Sequence, residues 1–478
     1  MNAARPHSAL VLAGLAAGFV MASIDSTVVN VAVVAIGKSF GSSVDQLTWM
    51  VDSYVLAFAS LLLLGGSLST TFGSRRLYLS GMVVFLGASL VCALAPDPAI
   101  LIAARAVQGA GAAMFMPSSL ALLVAQFTEP GRRARMLGLW SAMVATSAAI
   151  GPTLGGLLVS TFGWRSVFLV NIPVVLVGIA LTLRCIPKGR GTGDGVSLTG
   201  HAALFIAVAC AAFVLIQGRS NGFTSPVILI ALTVLIASGV LLAVQQRRTR
   251  YPVMPWPLFR RRAFNIPNLV GFLFSGALYG SLYLMGLFFQ NARNASPIEA
   301  GLQLLPITIC APIANVVYTR IHQRVSNSTI MTVCLLLAGS ATLLFIRVDA
   351  HTPYWYIAIA LGIANSGAGL IVAAMTTATV AAADDRHASF AGAVLNTNRQ
   401  MGVLIGIAVV GLIIQANTSW YGGLHISMVV VAAAYIAAGL VASSQAWNQK
   451  RVKEKRLKVK RWKDESHGFT DPADQRER

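Results

Sequence analysis

Long apolar runs recur along the whole of this 478-residue chain and constrain its fold more than any other feature. A helix needs roughly 20 consecutive apolar residues to cross a bilayer. Fourteen runs of this kind lie at residues 9–35, 46–68, 76–95, 99–127, 133–159, 164–184, 199–217, 224–246, 264–290, 299–319, 328–348, 353–380, 388–415 and 423–446. The sequence therefore predicts an all-α membrane protein with 14 transmembrane helices. A twelve-helix protein would have to keep 199–217 and 224–246 outside the membrane, although both are long and apolar enough to cross.

The composition excludes an ordinary soluble enzyme. Only 11% of the residues are charged, against about 25% in soluble domains, so too little polar surface is available to cover a soluble fold. The five cysteines are widely spaced and form no CxxC pair, which predicts apolar packing residues and no metal site. The segment Gly37-Lys38-Ser39 lacks the first glycine of a P-loop, so ATP-driven transport is rejected and no cofactor is expected.

The basic residues are distributed unevenly between the two ends of the predicted helices. With the N-terminus in the cytoplasm, the inner connections hold 18 of the 36 lysines and arginines, the outer connections hold five, and the tail from Lys450 holds 11. Cytoplasmic loops of membrane proteins carry this excess. The net charge of +20 therefore indicates a multi-pass protein of the bacterial inner membrane with both termini cytoplasmic, and does not indicate nucleic-acid binding. We expect the tail to lie along the anionic inner leaflet of the lipid bilayer.

The order of the runs predicts two bundles with an inserted pair of helices. We place a six-helix bundle at residues 1–190, a two-helix linker at 191–262, a second six-helix bundle at 263–448 and a basic cytoplasmic tail at 449–478. The segments Gly109-Ala110-Gly111 and Gly367-Ala368-Gly369 are similar and fall in corresponding helices of the two bundles. Such internal repeats are expected of transporters built from two related halves.

Four charged residues fall inside the predicted helices, namely Asp25, Asp52, Arg105 and Arg399. A charge in hydrocarbon costs at least ~2.5 kcal/mol, so these residues are functional candidates. With a rise of about 1.5 Å per residue, Asp25, Asp52 and Arg105 share one layer in the outer half of the membrane. Two acids and one base in one layer can form a charge relay, because protonation of a carboxylate changes its interaction with the arginine.

Each of these charges also has an alternative interpretation. Asp25 and Arg105 can form a purely structural ion pair, and Asp52 can be solvated at the membrane surface. Arg399 lies in a polar cluster with Asn396, Asn398 and Gln400. Such a cluster lines a cavity or joins two helices.

Four motifs resemble those of the major facilitator superfamily, and specifically of its fourteen-helix drug:proton antiporters. In chain order they read Ile24-Asp25-Ser26-Thr27-Val28-Val29-Asn30-Val31-Ala32, Arg105-Ala106-Val107-Gln108-Gly109-Ala110-Gly111-Ala112-Ala113, Gly151-Pro152-Thr153-Leu154-Gly155-Gly156 and Asn396-Thr397-Asn398-Arg399-Gln400-Met401-Gly402. The resemblance covers the chain except for its basic tail. It implies two major-facilitator bundles, alternating access, a proton-transfer role for Arg105, and an antiporter motif at Gly151, Pro152, Gly155 and Gly156 that closes the pathway.

The loop after the second predicted helix departs from the family pattern. It reads Gly66-Ser67-Leu68-Ser69-Thr70-Thr71-Phe72-Gly73-Ser74-Arg75-Arg76. Thr70 stands where the family has an aspartate, and Thr71 stands where it has an arginine. We expect a weaker bias toward the outward-open state, or replacement contacts elsewhere.

The residues and the resemblance together predict a proton-coupled exporter of small hydrophobic or amphipathic antibiotics. It would bind a small molecule and protons, and act as a monomer. The substrate cavity is predicted to include Trp49, Gln108, Met116, Tyr279, Tyr283, Asn396, Asn398, Arg399 and Gln400. Two alternatives remain open, a transporter of an endogenous metabolite and a transport-inactive receptor or scaffold.

Overall fold

The computed structural model of the chain is helical throughout its described part, which comprises residues 5–127, 129–187, 197–249, 256–322, 324–383 and 388–467. No strand occurs among these residues. The predicted boundary at residues 190 and 191 and the last part of the tail, 468–478, lie outside the described residues.

The first predicted bundle consists of seven helices. They are α1 (Arg5–Phe40), α2 (Val44–Phe72), α3 (Ser74–Leu94), α4 (Pro98–Gln126), α5 (Pro130–Phe162), α6 (Ser166–Leu169) and α7 (Asn171–Cys185). A capping box between Ser43 and Gln46 begins α2, and the Asp97 side chain caps α4. These caps satisfy backbone N–H groups that have no partner within the helix.

The inserted pair consists of α8 (Leu198–Asn221) and α9 (Pro226–Arg248). The two helices pack against each other, and α8 also packs against α2. On its other side α8 contacts α18 of the second bundle. The pair therefore lies along a boundary between the two sets of helices.

The second predicted bundle is more interrupted than the first. Its elements are α10 (Trp256–Phe259), α11 (Arg262–Asn291), α12 (Pro297–Gln303), α13 (Leu305–Thr308), α14 (Cys310–Ile321), α15 (Asn327–Thr342), the 3-10 segment η1 (Leu343–Arg347), α16 (Tyr354–Asn365), α17 (Ala368–Ala381), α18 (Ala388–Ala416) and α19 (Trp420–His467). A proline follows the break between α12 and α13, where it cannot donate a backbone hydrogen bond. The basic run of the tail belongs to the same helix as the last apolar run, α19.

Thirteen helical stretches of the described residues are long and apolar enough to cross a membrane. They coincide with thirteen of the fourteen predicted runs. The remaining run, 133–159, lies within α5, a continuous helix of 33 residues. The helical fold is therefore confirmed, whereas the number of crossings and the side of the termini stay predictions.

Several contacts between the two sets of helices lie where α1 ends and α2 begins, which we call the α1–α2 end, and Leu63 near the other end of α2 also packs against Val394 of α18. Gln290 of α11 donates a 3.1 Å hydrogen bond to the carbonyl of Val31. At the same end Gln415 of α18 donates to Asp45 at 2.5 Å. A Cβ atom at Gly286 would lie only 2.8 Å from the carbonyl oxygen of Asn30. The described contacts thus close the molecule at the α1–α2 end, which the charge distribution predicts to be the outer one.

Candidate functional site

The structure brings Asp25 of α1 and Arg105 of α4 into direct contact. Both residues are about 1% exposed, and Arg105 Nη1 donates to Asp25 Oδ2 in an ion pair. The pair forms because the two helices pack within the first bundle at the depth that their sequence positions predict. A membrane helix tolerates such charges where each neutralises the other.

Two amides extend the ion pair into a hydrogen-bonded network. Gln108 Nε2 donates to Asp25 Oδ1 at 3.0 Å and to Ser89 Oγ at 2.9 Å, while its Oε1 accepts from Arg105 at 2.7 Å. Asn171 Nδ2 donates to the same Asp25 oxygen at 3.1 Å. The carboxylate thus receives three donor side chains from α4 and α7. Both oxygens of the buried carboxylate are therefore partnered within the first bundle.

Aromatic rings enclose the guanidinium of Arg105. Its central carbon lies 4.3 Å from the centroid of the Tyr54 ring and 5.9 Å from that of Phe168. Its Nε donates to the carbonyl of Met50 at 3.2 Å. The rings add cation–π attraction, and the described partners of Arg105 all belong to the first bundle.

Asp52 lies apart from this pair. Its side chain is fully buried, and neither carboxylate oxygen has a hydrogen-bond partner within the described part of the chain. One turn earlier on α2, Thr48 shares a 3.2 Å hydrogen bond with Tyr283 of α11. Asp52 therefore lies on the face of α2 that meets the second bundle. The expectation that it is solvated does not fit this burial, and the expected three-residue relay is reduced to a contact between Asp25 and Arg105.

Four of the predicted cavity residues have contacts that the structure specifies. The Trp49 ring lies 6.4 Å from Phe213 of α8, and Gln108 belongs to the ion-pair network. Met116 belongs to a hydrophobic core with members in both bundles, and Tyr283 is fully buried beside Thr48. The sequence could not show this, because the direction in which a helix face points depends on its neighbours.

The polar residues Asn396, Asn398, Arg399 and Gln400 of α18 lie in two different environments. Asn398 donates a 2.7 Å hydrogen bond to the carbonyl of Asn268 on α11, so it joins two helices. Asn396, Arg399 and Gln400 are half-buried and occupy i, i+3 and i+4 positions, so they share one face of the helix. Arg399 Nε donates to Ser275 Oγ at 3.3 Å.

The glycines of the predicted antiporter motif lie between α1 and α12. A Cβ atom at Gly151 would fall 1.9 Å from Thr27 Oγ1, and one at Gly155 would fall 3.0 Å from the Val28 carbonyl oxygen. On the opposite side, one at Gly156 would fall 2.5 Å from the Pro297 carbonyl oxygen. The carbonyl of Pro152 is approached in the same way, because a Cβ atom at Gly301 of α12 would lie 2.6 Å from it. The motif thus permits backbone contact between the two bundles near the α1–α2 end.

The predicted gating loop makes neutral contacts. Gly73 has a φ of 92° and forms the tight turn between α2 and α3, which suits glycine. Ser69 Oγ donates to Ser74 Oγ at 2.9 Å across this turn, and Arg75 donates to the carbonyl of Leu183 at 3.2 Å. Thr70 is exposed and donates to Ser67 within its own helix, and Arg76 is also exposed. Gly66 has open space beside it.

Several residues of the site were not anticipated. Tyr54, Ser89 and Asn171 surround the ion pair, while Thr48 and Ser275 contact residues of α11 and α18. Ser89 and Asn171 are polar residues inside predicted membrane helices, a signal that could have marked them. The aromatic Tyr54 carries no comparable signal.

The fold and the buried ion pair define a helical membrane transporter, and comparison with known proteins gives its family. The sequence profile of the Major Facilitator Superfamily matches residues 15–406 and 268–468. The chain belongs to this superfamily, and it is a multi-pass protein of the bacterial inner membrane that acts on a small-molecule substrate.

Named relatives extend over most of the chain. The methylenomycin A resistance protein of Streptomyces coelicolor is 51% identical over 429 residues, covering 90% of each chain. The protein of the same name from Bacillus subtilis is 40% identical, covering 89% of this chain and 91% of its own. A crystal structure of a POT family transporter in complex with a thioalcohol-conjugated peptide superimposes with a TM-score of 0.69 at 15% identity, covering 93% of this chain and 96% of that one. This last likeness concerns the fold alone.

Proposed function

We propose that this protein is a proton-coupled exporter of small hydrophobic or amphipathic antibiotics that works by alternating access. The observation that carries the proposal is the buried contact between Asp25 and Arg105, with its amide donors Gln108 and Asn171. Relatives named for methylenomycin A resistance support the substrate class. A relative named as a multidrug resistance protein, Stp of Mycobacterium tuberculosis, is 33% identical over 85% of this chain and 75% of its own, and supports it further.

Protonation of Asp25 would be the coupling step. A neutral carboxyl group no longer compensates the charge of Arg105, so the attraction between α1 and α4 weakens. The same helix carries Asn30 and Val31, which contact α11 at the α1–α2 end. These residues lie about 8–9 Å along the helix from Asp25 at a rise of 1.5 Å per residue. A shift of α1 would therefore move both the proton site and the closed end.

Asp52 would be a second proton site at the junction of the bundles. An ionised carboxylate without a partner is costly in this environment, whereas a protonated one is not. When the α1–α2 end opens, water reaches the face of α2 that carries Asp52 and permits its ionisation. The antiporter motif would close the same end by backbone contact between α5 and α12, and so prevent leak.

The remaining features complete the proposal. We assign residues 1–190 and 263–448 to the two moving bundles, 191–262 to the inserted pair and 449–478 to the tail. Both termini would be cytoplasmic, with the tail on the anionic leaflet, and the protein would act as a monomer without nucleic acid or a cofactor. Because the contacts at the α1–α2 end would close the outer side of the protein, this conformation would be an inward-open state.

Transport in proteoliposomes with an imposed proton gradient tests the proposal. Methylenomycin A, puromycin and methyl viologen are offered in turn, and proton movement is recorded with a pH-sensitive dye. Asp25→Asn should abolish substrate-dependent proton movement while leaving Arg105 in place. Asp97→Asn, at the exposed cap of α4, is the matched control and should transport normally, because asparagine also caps helices.

Two outcomes would contradict the proposal. Full gradient-driven transport by Asp25→Asn would exclude the coupling role of the ion pair. If none of the three compounds elicited Asp25-dependent proton movement, the antibiotic assignment would fail and export of an endogenous metabolite would be favoured.

A further inference from the structure

Arg399 is a cation deep in a membrane helix. It is the twelfth residue of α18, which spans Ala388–Ala416, so it lies about 16 Å from the start of that helix at a rise of 1.5 Å per residue. This depth is near the middle of a hydrocarbon core about 30 Å thick. A charge at such a depth requires a partner or a polar cavity.

The described residues offer the guanidinium of Arg399 few hydrogen-bond acceptors. Its Nε donates to Ser275 Oγ at 3.3 Å, while Nη1 and Nη2 have no hydrogen-bond acceptor within the described residues. Arg105 differs in every respect, since it is paired with Asp25, bonded to Gln108 and covered by Tyr54. The two terminal nitrogens of Arg399 thus have no hydrogen-bond acceptor within the described residues.

No carboxylate in the described part of the chain pairs with Arg399. Residues 263–448 contain only four acids, Glu299, Asp349, Asp384 and Asp385, and none is in the interior of a predicted membrane helix. In the first bundle, Asp25 is already held by Arg105, and the buried oxygens of Asp52 contact no donor in the described chain. The described part of the chain therefore supplies no counter-ion for Arg399, and an anionic ligand could take that place.

The surroundings suit an amphipathic organic anion. Tyr279 lies one helical turn after Ser275, the residue that Arg399 contacts, and its hydroxyl makes no hydrogen bond within the described part. Asn396 and Gln400 present half-buried amides on the same helical face. The stem of Arg399 packs on Gly271, which also adjoins the Met375 sulfur. A polar group of a ligand would find donors here, with apolar surface beside them.

We propose that Arg399 binds the carboxylate of the transported substrate, so that the exporter prefers small amphipathic monoanions over neutral or cationic compounds of the same shape. The planar guanidinium can hold a carboxylate through two parallel hydrogen bonds. This inference rests on the proposed function as an exporter, and it assigns the charge of the substrate. It separates the roles of the two buried arginines, because Arg105 serves the proton site and Arg399 serves the cargo.

Binding of three matched probes tests the inference. They are 1-naphthylacetate, 1-naphthylacetamide and 1-naphthylmethylammonium, which share a ring and differ in charge. Binding to the purified full-length protein is measured by equilibrium dialysis in nanodiscs of phosphatidylcholine, without a proton gradient. We expect the anion to bind at least 10-fold more tightly than the other two. Arg399→Gln should abolish this preference, and Arg399→Lys should retain part of it, because lysine keeps the charge but loses the bidentate geometry.

Controls separate the possible explanations. Arg347→Gln removes an exposed arginine at the end of η1 and should leave the preference intact, and thermal unfolding of each variant verifies folding. If phosphatidylglycerol added to the nanodiscs displaces the anion, a lipid headgroup is the ligand and the substrate assignment is overturned. It is also overturned if the anion shows no preferential binding, or if Arg399→Gln leaves the preference unchanged.

Transport of the three probes by Arg399→Gln is also measured as a function of pH. If this variant changes the pH dependence for all three probes alike and keeps their order of preference, Arg399 is a counter-ion of the coupling acids and the inference is overturned. Because the dialysis assay involves no gradient, its result is independent of the Asp25→Asn transport assay. Failure of proton coupling and failure of anion preference are therefore distinguishable.

Discussion

The two bundles differ in the partners that they provide for a buried arginine. In the first bundle, Arg105 has a carboxylate, an amide, a backbone carbonyl and an aromatic ring as partners. In the second bundle, Arg399 has one serine hydroxyl. A neutralised pair can respond to a proton, whereas an uncompensated cation can respond to an anion. The difference indicates that coupling and substrate charge recognition are divided between the bundles.

The largest expected effect is on stability, where substitutions of the two buried arginines should differ most. Arg105→Gln leaves the Asp25 carboxylate buried without its counter-ion, so we expect a loss of about 3–5 kcal/mol in the free energy of unfolding. Arg399→Gln removes a charge that has no carboxylate partner, so its effect should stay within about 1 kcal/mol. Chemical unfolding of both variants in the same detergent measures the difference. Equal losses would show that the two arginines have equivalent environments.

The next effect concerns the contact between the bundles. Gly156→Ala places a Cβ atom 2.5 Å from the Pro297 carbonyl oxygen, and overpacking of this kind costs about 1–3 kcal/mol. We expect the α1–α2 end to separate, which is measured as a longer distance between spin labels on α5 and α12. Gly87→Ala on α3 is the control, because nothing lies within 4 Å of its Cβ position. An unchanged distance in Gly156→Ala would mean that the motif does not hold the bundles together.

A smaller effect is expected at the turn between α2 and α3. Thr70→Asp restores the carboxylate of the family pattern on an exposed position near Arg75 and Arg76. Surface ion pairs contribute about 0–1 kcal/mol, so the conformational balance should shift toward the outward-open state by less than about 10-fold. Spin-label distances between the bundles and the transport rate measure this shift. If neither changes, the neutral Ser69–Ser74 contact already replaces the charged one.

The smallest effect lies outside the membrane, in the connection between η1 and α16. The Thr352 hydroxyl and the His351 backbone N–H donate to the Asp349 carboxylate and lower its pKa. Because this pKa is lower in the folded state, the stabilisation is present above the ordinary aspartate range and is lost as the pH falls through the folded pKa. Asp349→Asn should flatten that acid limb of the unfolding profile. A profile identical to that of the unsubstituted protein would exclude the contribution.

The sequence identified the buried charges and offered Asp25 and Arg105 as an ion pair, but it could not exclude Asp52 as a partner of the arginine. Asp25 and Asp52 lie at the same predicted depth next to Arg105, so depth alone favoured neither as its partner. The structure selects Asp25, because Met50 and Tyr54 turn toward Arg105 and leave Asp52 on the opposite face of α2. The predicted cavity stays a prediction. Trp49, Gln108, Met116 and Tyr283 were chosen as residue types, and only the tertiary structure shows which neighbours each of them contacts.

Some properties of this protein follow from its sequence alone. Apolar length fixes where helices cross a bilayer, since every backbone polar group in lipid must be bonded within a helix. The cost of burying charge limits the functional candidates to a few residues, and four short motifs indicate the superfamily. Other properties depend on tertiary structure. Asp25 is separated from Arg105 by 80 residues and from Asn171 by 146, so only the packing of α1, α4 and α7 decides that they meet. The same packing leaves the terminal nitrogens of Arg399 unpartnered within the described chain, because the helices around it carry no carboxylate at its depth.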